Sequence, residues 1–209
     1  MRVDTRYPLV RERHRRANLA ALGDLLDAMA ADIAARNDAG ARVLLAKRWD
    51  AVLRDVLLSR NTSTASEIAL LVAHALGADY DPAIMDAWLL RNAEIAASTI
   101  NDKTREHLDA TDDVDSVLTE MTTSRRASIA LSIVTTAAGF ASRDVATHSG
   151  ASAKIWRVHS TNPRSSHARM RGETVPVGER FSNGLDWPGD FEGGADEAAN
   201  CHCSLTILA

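Results

Sequence analysis

The sequence predicts a mainly α-helical fold: a helical N-terminal region followed by a small α+β C-terminal domain with short antiparallel strands. Three observations predict it. Up to about Gly150 the chain is rich in Ala, Leu, Asp and Arg and poor in Gly and Pro; beyond it Gly, Pro, Ser, Asn and His accumulate. Apolar residues in the first part recur at steps of three and four, the period of a helix face. In the last part Lys154 to His159 alternates apolar and polar residues, the period of a half-buried strand. The boundary divides the chain into residues 1–150, a helical assembly or interaction region, and residues 151–209, the small domain.

Taken in order, Leu19, Leu22, Leu26, Met29 and Ile33 mark the apolar face of a first helix. Gly40 is expected to punctuate. Val43, Leu44, Val52, Leu53, Val56 and Leu57 outline a second helix. Thr64-Ala65-Ser66-Glu67 has capping-box spacing and predicts the start of a third, Ile68 to Leu76. Asp81-Pro82 places an N-cap before a proline at the first helical position. A long helix then runs to about Leu108. Asp112 and Asp113 precede a short helix carrying Val114 to Met121, and a final helix covers Ser124 to about His148. In the small domain, Trp156 and Val158 are expected inward, with Ile155, Arg157 and His159 on the opposite face. Ser166 to Arg171 reads as one or two helical turns stopped by Gly172. Thr174 to Val177 is a short strand that Pro176 confines to an edge. Phe181, Trp187 and Phe191 anchor a long loop, and Ser204 to Leu208 is a closing strand.

Composition narrows function. The hydrophobic content of 45% and charged content of 25% are globular values. A net charge of -4 argues against wholesale coating of nucleic acid. No apolar run approaches the length of a membrane span, and the charged N-terminus lacks the apolar core of a signal peptide, so a soluble, cytoplasmic start is expected. Arg11, Arg13, Arg15 and Arg16, with Arg157, Arg164, Arg169 and Arg171, are candidate contacts for nucleic acid or an acidic partner. The basic segment Lys154–Gly172 and the acidic segment Asp186–Glu197 are expected to pair internally. No catalytic residue is expected: nucleophile elbow, phosphate-cradling loop and His-Glu-x-x-His are all missing from the sequence.

The two cysteines stand one residue apart in Asn200-Cys201-His202-Cys203. On a strand both would face one side, and two residues so spaced are badly placed for a mutual disulfide. Two thiolates on one face reach a single metal, and a structural zinc wants four ligands. His167 is the candidate third ligand, with the fourth among His159, Asp190 and His202. The alternative is two small apolar residues packed in the core.

The segment from Lys154 to Ile207 resembles the C-terminal domain of phage minor head proteins of the Mu protein F-like family, also called the SPP1 gp7 head morphogenesis family. The resemblance rests on Lys154 and Trp156, Asn162, Arg164 and His167, Gly172 and Glu173, Phe181, Pro188-Gly189-Asp190, and Asn200-Cys201-His202-Cys203, in that order over about sixty residues. His202 replaces the family's usual Arg, and Asn162 an Asp found in many members. The resemblance implies a minor capsid component acting in head morphogenesis at the portal vertex or capsid interior, in packaging or ejection of DNA. Its implied partners are portal or major capsid protein and phage DNA, first in the host cytoplasm and then in the virion. Two other classes remain open on the sequence: a DNA-binding protein delivered with the genome, and a metal- or thiol-dependent enzyme.

Overall fold

In the computed structural model, which describes residues 1–35 and 39–209 and the side chains of all of these except 39–48 and 195, the chain is helical with one small sheet. It opens with strand β1 (Arg2–Asp4), followed by α1 (Pro8–Ala34), α2 (Ala39–Leu76), α3 (Asp86–Asp109), α4 (Val114–Glu120) and α5 (Arg126–His148). The second region contributes β2 (Ala153–Val158), α6 (Ser165–Arg169), β3 (Thr174–Pro176), α7 (Ala195–Ala198) and β4 (Cys203–Leu208). The mainly helical class with a small antiparallel part is as the sequence predicts.

Local signals are honoured where nothing competes with them. Asp81 accepts from the Ala83 N–H and opens a 3-10 turn, Pro82–Met85, that leads into α3. Asp113 caps α4 by accepting from the Ser116 N–H at 3.0 Å. Elsewhere packing overrides them. The two helices expected on either side of Thr64 are one, α2, and Gly40 lies in its first turn. Val43 and Leu44, expected on its inner face, fall outside the described side chains. Thr64 bonds back to the Arg60 carbonyl at 3.0 Å, and Glu67 turns outward to Arg13 and His14. Both capping-box side chains thus have mid-helix partners, and Ile68, Ala69 and Val72 continue the buried face of Leu53 and Leu57. Likewise α4 and α5 do not separate: a π turn, Met121–Arg125, joins them, and Met121 points into the core.

This joined helix, 114–148, is long and apolar enough to cross a membrane by length and composition, where the sequence predicts no apolar run of that length. Most of its apolar stretch is buried inside the protein, as in a core helix. Its buried residues are largely small, Ala130, Ala137, Ala138, Ala141 and Ala146 among them, and they let α1, α2 and β4 approach closely.

The sheet runs β1-β4-β2-β3 with every neighbour antiparallel. β4 is therefore interior rather than a closing edge, because Arg2–Asp4 pairs with its outer side: Val3 sits opposite Ile207. The proline-bearing β3 occupies the other edge, as expected. Lys154, Trp156 and Val158 alternate onto the helix-facing side. Ile155, expected on the opposite face, is also buried. On that face Arg157 donates to Thr206 and His159 meets Ser204. One hydrophobic core crosses residue 150, combining Ile68, Val72 and Leu89 with Phe140, Val145, Trp156, Phe181, Leu205 and Ile207. A second core lies between the helices around Leu22, Leu26, Leu53, Ala97 and Met121.

Candidate metal centre

The site is assembled where the C-terminal loops meet α5. Residues 132–139 of that helix present Ser132, Thr135, Thr136 and Gly139, so that loop backbone can lie against it. Thr136 Oγ1 donates to the Gly189 carbonyl at 2.7 Å and Thr135 Oγ1 to the Cys201 carbonyl at 2.7 Å, while Ser132 Oγ accepts from the Asn200 N–H at 2.9 Å. Gly189 has φ +83°, and a Cβ there would stand 2.9 Å from the Thr136 nitrogen. Glycine is required on both counts. Asn200 also takes a left-handed conformation, φ +53°, which asparagine tolerates better than most side chains. That turn swings the chain from α7 into β4 and delivers Cys201 just ahead of the strand and Cys203 as its first residue. From the other side Arg11 of α1 donates to the Cys203 carbonyl at 3.2 Å.

Both thiols are buried and unbridged, and both face His167 of α6. Cys203 Sγ lies 3.5 Å and Cys201 Sγ 3.7 Å from His167 Nδ1. The three donor atoms fall within 4.8 Å of one another. Zinc–sulfur bonds of about 2.3 Å and zinc–nitrogen bonds of about 2.0–2.1 Å at a tetrahedral angle separate sulfur from nitrogen by about 3.5 Å, so the geometry suits a metal. His167 Nε2 is hydrogen-bonded to Glu197 Oε2 at 2.9 Å. A carboxylate there holds the proton on Nε2 and leaves the Nδ1 lone pair aimed at the sulfurs, the arrangement that orients a metal-binding histidine. Trp156 packs edge-on against the imidazole at 5.3 Å. Its buried indole N–H lies close enough to Cys203 to favour the thiolate.

Cys201 is held well below the usual thiol range by the hydrogen bond from Cys203, aided by His167 and opposed by burial. Cys203 is pushed up by that same bond and by burial. The cluster can therefore act as a soft Cys2His donor set or, empty, as a pair of thiols hydrogen-bonded to an imidazole.

The three residues the sequence singled out together do meet. The candidates for a fourth ligand do not join them. His159 bonds Ser204 at 2.8 Å on the sheet face opposite the thiols. Asp190 is buried and spends both carboxylate oxygens on the backbone N–H groups of Asp186 and Glu192, each at 3.1 Å; burial raises its pKa. His202 alternates outward between the cysteines and is exposed. Of the candidate contact arginines, Arg13 pairs with Glu67, and Arg15 and Arg16 with Glu12. Arg11, Arg164 and Arg171 donate to backbone carbonyls, Arg157 to Thr206, and Arg169 is exposed. Of the expected pairing of basic and acidic segments, Lys154 meets Asp186, whereas Arg157, Arg164 and Arg171 meet a hydroxyl or backbone carbonyls instead. Sequence reasoning missed Glu197, Ser132 and Thr135; none carries a local signal, because each acts through a contact with a remote segment. Comparison with known proteins returns no matching family model, no matching curated protein and no matching solved structure.

Proposed function

We propose that the chain is a phage minor head protein, a structural component of head morphogenesis whose C-terminal module is held together by one structural zinc. The observation that carries this reading is convergence. Several of the residues behind the resemblance serve one clasp. Trp156 packs on His167. Gly189 docks on α5, Asp190 fixes the loop before it, and Asn200 turns the cysteines towards the histidine. These are duties of fold maintenance, suited to a module that must stay rigid inside an assembly. Zinc fits the buried sulfur and nitrogen donors better than calcium or magnesium, which take oxygen ligands. On this reading the partners are portal or major capsid protein.

Quantitative mass spectrometry of purified heads, combined with deletion of the coding sequence, tests the proposal. The expected result is a few copies per head and defective head assembly on deletion. Heads that lack the chain, together with normal assembly after deletion, would contradict it.

A further inference from the structure

The Cys2His set supplies three protein ligands, and among the described residues no fourth His, Cys, Asp or Glu joins them. A structural zinc is normally closed by four protein ligands, whereas a set of three leaves one position for an outside donor. The surroundings favour the second case. Cys201, Cys203 and His167 form the floor of a cavity of about 380 Å³, whose rim carries the exposed Asn162, Asn200 and His202. No Asp or Glu lines it, but Arg164 does. Arg164 Nη2 is committed to the Ala199 carbonyl, whereas its Nη1 is buried with no hydrogen-bond partner among the described residues. Charge points the same way. A divalent metal with two thiolates and a neutral imidazole is neutral, so an anionic fourth donor would leave one negative charge beside the Arg164 guanidinium.

We infer that the metal keeps one exchangeable position, open to this cavity, that takes a small anionic donor from solution with Arg164 beside it. This rests on the metal reading above and adds that the centre is open. The anion exchanges for water at the metal, while both sulfurs and His167 Nδ1 stay bound.

The test uses the full chain loaded with Co2+, whose visible spectrum reports coordination, and sodium azide as the anion, with imidazole as a neutral comparison. The expected result is one equivalent of Co2+, a saturable azide-induced shift of the d–d bands, and a weaker response to imidazole. In Arg164→Gln the cobalt stoichiometry stays and the azide midpoint rises about tenfold, the loss expected for one charge-assisted hydrogen bond. Bound cobalt whose spectrum azide leaves unmoved would overturn the open position while sparing the metal site. An azide midpoint unchanged in Arg164→Gln would overturn the role of the guanidinium. Failure to bind cobalt at all, equally in wild type and Cys201→Ser, would overturn the metal reading itself.

Discussion

At the scale of single residues, His167, Cys201 and Cys203 make distinct predictions from the side chains behind them. Cys201→Ser, Cys203→Ser or His167→Ala removes a ligand and should abolish stoichiometric zinc binding in competition with a chromophoric chelator. Glu197→Gln keeps all three ligands but weakens the hold on His167 Nε2, so affinity should fall about 10–100-fold without being lost. An unchanged affinity in Glu197→Gln would remove the carboxylate from the centre. Protonation gives a further check. Because burial and the bond to Cys201 push the Cys203 thiol up, metal binding near neutral pH should release protons, and affinity should climb with pH. Calorimetry in buffers of different ionisation enthalpy measures the release. The cysteines were legible in the sequence because their spacing is a strand-face signal. His167 was legible because it lies in the same small domain as the cysteines, just after a turn. Glu197 was not, since an acidic residue in an acidic segment gives no sign of which base it meets.

At the scale of elements, caps and turns were readable and continuity was not. Asp113 does what its position suggests, and Asp113→Ala should cost about 1 kcal/mol in chemical denaturation. Thr64 and Glu67 carry an equally good start signal, yet they lie inside α2, because buried residues on both sides make unbroken helix the better solution. The α4–α5 junction follows the same logic, with a π turn absorbing the mismatch. The clasp on α5 gives the sharper test. Gly189→Ala introduces a Cβ at positive φ and against Thr136, and should destabilise by about 2–5 kcal/mol. A thermal midpoint equal to wild type would mean the loop does not dock on α5 as described. Nothing local marks α5 as the docking surface; the run of Ser, Thr and Gly acquires that meaning only when the loop reaches it.

At the scale of the whole molecule, the texture change at Gly150 is real in sequence, but the packing does not stop there. β1 from the chain's start completes the sheet made by its end, and one core spans both regions. About sixty residues make a marginal core alone, so the small module draws stability from the helices it packs against. The pairing of residues 2–4 with β4 was invisible to the sequence reading because three residues carry no periodicity. Removing residues 1–6 should strip β4 of its outer partner and lower the midpoint for both regions together, with near-UV and far-UV circular dichroism reporting one transition. Two separated transitions would contradict a shared core. The central claim is that His167, Cys201 and Cys203 form a metal centre. The most direct measurement is the metal content of the full chain, purified under reducing conditions without chelator, alongside titration of its thiols in the folded state. The account predicts about one equivalent of zinc and two thiols that become reactive only after chelation; a folded, metal-free protein with both thiols freely reactive would contradict it.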